Sequence, residues 1–128
     1  MNLLLDTHIA LWAITDSPKL TSRARELILD PHNNVSVSSA SVWEIAIKHR
    51  LGRGDMPVSG KAALGYFQQA GYRLLPVEPE HAAALDNLPT HHNDPFDRML
   101  IAQALIEPMR LVSHDHQVAR YGELVICV

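Results

Sequence analysis

At 128 residues, with 47% apolar and 20% charged side chains, the chain has the size and composition of one globular domain spanning residues 1–128. Charges interrupt its apolar stretches every few residues, so none nears the roughly 20 residues needed to cross a bilayer. Asp6 follows the opening Met1-Asn2-Leu3-Leu4-Leu5 with no basic segment before it, unlike a secretory leader, and the net charge of −3 argues against binding nucleic acid by bulk attraction. A cytoplasmic protein is expected. The single cysteine, Cys127, excludes an internal disulfide and a Cys-rich zinc site, and its place in the apolar run Leu124–Val128 predicts a buried structural thiol.

Leu3-Leu4-Leu5 reads as a buried strand ending at Asp6, and Ile9 to Ile14 as a short helix closed by Asp16-Ser17-Pro18. Ser22 to Leu29 predicts a second helix, and the Asn33-Asn34 turn leads into a brief strand, Val35-Ser36-Val37. From Ser41 the run VWEIAIKHRLG is helical, with Ser41 and Glu44 spaced as a capping box and Gly52 as the stop. A loop over Arg53-Gly54-Asp55-Met56-Pro57 precedes a helix from Lys61 to Ala70, ended by Gly71, and a strand from Tyr72 to Val77. His81 to Leu88 predicts a short helix stopped by Pro89. The polar loop Thr90-His91-His92-Asn93 runs into Asp94-Pro95-Phe96-Asp97, where a long helix starts and continues to about Glu107. Leu111-Val112-Ser113 is a strand with Asp115 just beyond it, a short helix reaches Tyr121, and Leu124 to Cys127 is the last strand. Strands separated by helices imply parallel pairing, hence an α/β fold: a three-layer α/β/α sandwich around a central, mostly parallel sheet.

In such a sheet, sites form beyond the carboxyl ends of the strands. Four acids fall at that edge. Asp6 and Asp115 follow strands, and Asp97 and Glu44 lie in the first turns of helices. Each position also suits helix capping: Asp6 and Asp115 as N-caps, Glu44 in its capping box, and Asp97 at the third helical position if Asp94 caps and Pro95 is first. The two roles are compatible, because a helix N-terminus stabilises the ionised carboxylate that a hard cation requires. A cation there would also reverse the local field and attract phosphate.

The segments LLLDTHIALW, SSASVWEIAIK, DPFDRMLIAQA and LVSHD, in this order and across essentially the whole chain, resemble the PIN-domain family. The resemblance is to ribonuclease toxins of the virulence-associated protein C type from bacterial toxin–antitoxin pairs. It implies a PIN-like α/β/α sandwich, an endoribonuclease dependent on Mg2+ or Mn2+, an RNA substrate, an inhibitory antitoxin partner and a homodimer, with no membrane association. The family's acidic positions carry over onto Asp6, Glu44, Asp97 and Asp115, and Thr7 matches the hydroxyl beside the first acid. Asp6, Asp97 and Asp115 would hold the metal, and Glu44 would orient or deprotonate the attacking water.

Other residues carry weaker signals. Lys48, His49, Arg50 and Arg53 suit either RNA phosphates or a solvated helix end, where Lys48 pairs with Glu44 at i,i+4. Arg98 suits a substrate contact or a surface ion pair. His8, His91, His92, His114 and His116 lack the two-His spacing of zinc hydrolases and are expected to be polar loop or surface residues. Trp12 and Trp43, flanked by apolar neighbours, are expected in core or dimer contacts rather than as base-stacking platforms. Two non-catalytic readings compete: a phospho-receiver domain, which wants an Asp after its middle strand where Ser38 follows Val35-Ser36-Val37, and a PIN-like binding module, which would have lost acids that are all present here.

Overall fold

The computed structural model describes residues 1–53 and 56–128; Gly54 and Asp55, within the loop expected at 53–57, lie outside the described residues. The chain runs β1 (Asn2–Leu5), α1 (Thr7–Ile14), α2 (Ser22–Leu29), β2 (Asn34–Ser38), α3 (Ser39–Arg50), α4 (Gly60–Gln69), β3 (Arg73–Leu75), α5 (Pro79–Ala83), a 3-10 turn (Ala84–Asn87), α6 (Pro95–Ile106), β4 (Arg110–Ser113), α7 (His116–Ala119) and β5 (Val125–Cys127). The strands form one sheet in the order β3-β2-β1-β4-β5, and every pairing is parallel.

The side-chain alternation of the strands sorts the core into two layers. Leu3, Leu5, Val37, Val112 and Ile126 face one way, with Ile9, Ile45 and Phe67 from the helices of that side. Leu4, Leu111 and Val125 face the other way, against Leu100, Ile101 and Val118. Leu3, Leu4 and Leu5 are fully buried, each worth about 1.5–3 kcal/mol of burial. This is the expected three-layer α/β/α sandwich. No helix among the described residues is long and apolar enough to cross a membrane.

Strand order decides where the site lies. From β1 the chain moves outward to β2 and β3, then returns through α6 to β4 on β1's other side. The reversal opens a crevice beyond the carboxyl ends of β1 and β4, the position where ligands bind in open α/β sheets. It also separates this fold from receiver domains, whose strand order is 2-1-3-4-5.

Local structure departs from the sequence reading at four places. Helix α3 starts three residues earlier than expected, with Ser38 as its N-cap accepting from the Ala40 amide, so Ser41 and Glu44 form no capping box and Glu44 stands in the second turn. The cause is β2, whose pairing with β3 extends to Ser38 opposite Leu75. The helix expected over 81–88 is α5 followed by the 3-10 turn, entered earlier through Pro79. Strand β3 covers only 73–75 of the expected 72–77. Cys127 is exposed rather than buried, because it is the last residue of β5, an edge strand with no neighbour on its outer side. The predicted stops hold: Gly52 and Gly71 take φ of +72° and +81°, a conformation that glycine adopts without penalty.

Candidate active site

Asp6 ends β1 and caps α1. Its amide extends the β1–β4 ladder by donating to the Val112 carbonyl at 3.0 Å. Its Oδ1 accepts from the Ile9 amide at 2.9 Å, and its Oδ2 accepts from the Ser113 hydroxyl at 2.5 Å. The carboxylate is 7% exposed, and its burial pushes the pKa up against the opposing pull of those two hydrogen bonds and of His8. Ser113, fully buried at the end of β4, also accepts from the Asp115 amide at 3.1 Å, so one hydroxyl joins the acids after two neighbouring strands.

Asp94 and Asp97 divide the roles that the sequence suggested. Asp94 Oδ1 accepts from the amides of Phe96 and Asp97, at 2.9 and 3.0 Å, and Pro95 fills the first helical position. Asp97 is thereby left free of capping and lines the cleft with Asp6 and Asp115. Burial, followed by the charges of Asp94, Asp6 and Glu44, raises its pKa to about 6, opposed by a hydrogen bond from His92. Asp115 caps α7 through Oδ1, which accepts from the Gln117 amide at 2.8 Å. Its Oδ2 stands 3.8 Å from His92 Nε2, which donates to Asp97 Oδ2 at 2.7 Å. Among the described residues, His92, Asp97 and Asp115 offer ligand atoms within 4.8 Å of one another.

Glu44 does not line that cleft. It is 3% exposed on α3, with Oε2 accepting from Lys48 Nζ at 2.5 Å, the i,i+4 pair that the spacing allowed. Its Oε1 is buried with no hydrogen-bond partner among the described residues. Such an orphaned carboxylate oxygen costs free energy unless something positive or a donor reaches it. Its charge is felt at both Asp6 and Asp97. A buried bond of 2.9 Å from the Thr7 hydroxyl to the Ser41 hydroxyl ties the start of α1 to α3 and fixes the two acids' helices together.

The structure thus brings Asp6, Asp97 and Asp115 to one cleft and sets Glu44 behind them. Oxygen donors in this number, with one oxygen orphaned, fit a hard divalent cation such as Mg2+ or Mn2+.

Two residues of the site escaped the sequence. Ser113 carried no signal beyond ending a strand. His92, expected as a loop or surface residue, is largely buried against Asp97. The reason is Arg98, which forms no ion pair among the described residues: its guanidinium donates to the carbonyls of Pro89 (3.0 Å), His92 (3.4 Å) and Leu88 (3.4 Å), while Tyr121 Oη donates to Pro89 at 2.6 Å. Together they fold the loop back over the site. Trp12 is half-buried, packing on the core layer while it lines the cleft, whereas Trp43 is 63% exposed and packed edge-on against Phe96.

A family model described as PIN domain matches residues 3–124. Ribonuclease VapC22 of Mycobacterium tuberculosis is 28% identical over 118 residues, covering 90% of this chain and 88% of that protein. The structure of VapBC2 from Rickettsia felis, bound to a DNA fragment from its promoter, contains a chain that superposes with a TM-score of 0.72 at 18% identity, covering 100% of this chain and 98% of that one. At that identity the superposition speaks for the fold, while the family model spans nearly every element that positions the acids. The chain belongs to the PIN domain family.

Proposed function

We propose that this chain is a cytoplasmic, metal-dependent endoribonuclease, the toxin of a bacterial toxin–antitoxin pair, with Asp6, Glu44, Asp97 and Asp115 as its catalytic acids. The observation that carries the reading is Asp97, a carboxylate left out of the capping of its own helix and set in one cleft with Asp6 and Asp115, where burial first and then the neighbouring acids raise its pKa to about 6. Gathering buried carboxylates in one cleft costs stability, and a bound cation would offset that cost. The relatives support the remainder: one is named a ribonuclease, and another is one half of a two-component assembly.

Asp6, Asp97 and Asp115 would hold the cation, with Ser113 and the capping amides of α1 and α7 fixing the position of Asp6 and Asp115. When bound, Mg2+ or Mn2+ supplies charge stabilisation at the phosphoryl oxygens and lowers the pKa of water. Glu44, through the oxygen that Lys48 leaves open, orients the attacking water or accepts its proton. His92 holds Asp97 in place through its 2.7 Å hydrogen bond. A homodimer belongs to this reading, and the exposed Trp43, packed edge-on against the half-buried Phe96, is the surface offered for it.

The test is cleavage of a panel of cellular RNAs with Mg2+, with Mn2+ and with excess EDTA, followed by end mapping. Cleavage restricted to the metal-containing reactions, leaving 5′-phosphate and 3′-hydroxyl ends, is expected. Ends of the 2′,3′-cyclic phosphate type, or full cleavage in EDTA, would overturn the mechanism. Expression is expected to arrest growth of a bacterial host until a cognate antitoxin is supplied.

A further inference from the structure

The cleft of about 490 Å³ that contains three of the acids has a second wall that the acid chemistry leaves unused. His8, Leu11, Trp12 and Thr15 recur at the spacing of one helical stripe, and all four line the cleft from α1. Trp12 is half-buried and packs on the core layer behind it. Its ring lies 6.0 Å from that of His8 at an interplanar angle of 50°, and 5.9 Å from that of His114 at 69°. Neither imidazole therefore lies flat on the indole. His114 is itself fixed, since its Nδ1 donates to the main-chain oxygen of Val128. The wall is thus three aromatic rings held by α1, β4 and β5, and Lys19 lines the same cleft.

A hard-cation site for phosphate has no use for aromatic rings, but a nucleotide does, because every base presents a π-face that stacks on an indole. The cleft falls within the range of small-molecule sites and exceeds what one phosphate occupies. Trp12 stands six residues along α1 from Asp6, about 9 Å of helical rise. A group bound there is a neighbour of the reacting phosphate and not the phosphate itself.

We propose that Trp12, flanked by His8 and His114, is a stacking subsite for the base of an RNA nucleotide adjacent to the scissile phosphate, with Lys19 serving the backbone of the same strand. The proposal rests on the ribonuclease reading and deepens it. Stacking tolerates any base, so the subsite contributes affinity and register, and a sequence preference would arise from the two imidazoles.

The test has a cleavage arm and a binding arm. In the first, an RNA oligonucleotide with one mapped cut is made with a single abasic residue at each flanking position in turn. One position is expected to lower kcat/KM about five- to hundredfold. Trp12→Ala should lose the same factor on intact RNA and become indifferent to that position, while Trp12→Phe retains discrimination. Because Trp12 also packs on the core, Trp12→Leu accompanies Trp12→Ala: it keeps the apolar anchor, loses the π-face and is expected to match it. In the second arm, Trp43→Phe leaves Trp12 as the sole tryptophan of the two, and its emission in EDTA should be quenched by the intact oligonucleotide and not by the abasic one. Quenching without any cleavage would overturn the ribonuclease reading and leave the stacking site standing. Cleavage with unchanged abasic sensitivity in Trp12→Leu and no quenching would overturn the subsite alone. Trp12 variants that cleave normally but no longer bind the inhibitory protein would assign the wall to that partner and also overturn it.

Discussion

Two clefts of equal size, about 490 Å³ each, lie at opposite ends of the sheet. The one at the amino ends of the strands is lined by Asn2, Asp30, Asn33, Asn34 and Glu107, among others, and these polar groups are spent on nearby partners. Asn34 Nδ2 donates to Asn2 Oδ1 at 3.1 Å, Asn33 Oδ1 accepts from the chain's amino group at 3.1 Å, and Glu107 Oε2 accepts from the buried His81 at 2.6 Å. Asp30 takes hydrogen bonds from the amide and ring of His32, which lower its pKa. At the carboxyl ends, burial and mutual repulsion raise the pKa values of Asp6 and Asp97 instead. Cleft volume therefore does not mark a site in this molecule. The two clefts differ instead in their carboxylates, favoured in ionising at one end and opposed at the other.

The largest effect should follow from relieving that tension. Asp97→Asn is expected to lower cleavage by on the order of 10²–10³-fold or more, by analogy with losing one preorganised electrostatic group. It should also stabilise the metal-free protein. The folded pKa of about 6 exceeds the unfolded value of about 3.9, so between them the folded state binds more protons and stability falls as pH rises. Thermal unfolding in EDTA should favour the variant at pH 7.5 by on the order of 1–3 kcal/mol, and the difference should fade as pH drops toward 4. A variant less stable than wild type at pH 7.5, or a difference independent of pH, would mean that Asp97 is not under this strain.

Glu44→Gln should rank next, with a loss of about 10–100-fold if the acid acts from behind the cleft. Full activity would reduce Glu44 to the partner of Lys48. Asp94→Ala sharpens the comparison within one turn of helix. It removes the acceptor of two amides and is expected to cost about 0.5–2 kcal/mol in thermal unfolding while retaining measurable cleavage. An inactive but fully stable Asp94→Ala beside an active Asp97→Asn would invert the two roles.

Local chemistry made some of this legible in the sequence. Leu3-Leu4-Leu5 followed by Asp6 could only be a buried strand meeting a polar edge, and proline at 95 separated a capping Asp94 from a projecting Asp97. What stayed hidden depends on contacts distant in sequence. Ser38, Ser39 and Ser41 can each cap a helix, and the choice of Ser38 came from β2 pairing with β3. The burial of His92 depends on Arg98 and on Tyr121 from beyond β4, which hold the loop from outside it. The exposure of Cys127 depends on which strand is the edge, a property of sheet order that an apolar run does not encode.

The smallest effect is expected at the opposite cleft, from Asp30→Asn. Asp30 is exposed and its pKa is lowered, because the His32 amide at 2.9 Å and ring at 3.1 Å favour the ionised form. Its linkage therefore has the opposite sign to that of Asp97: the ionised residue supports the fold above the unfolded pKa near 3.9, and that support is lost as pH falls. Solvent screens so exposed a group, so the variant should unfold within experimental scatter of wild type, with any deficit confined to neutral pH and absent near pH 3. Metal-dependent cleavage should be unchanged across the same range. Measured side by side, Asp97→Asn then shows a pH-dependent gain in stability that the same chemical change at Asp30 does not produce. Loss of cleavage in Asp30→Asn would place function at the amino ends of the strands and undo the assignment of the site to the carboxyl edge.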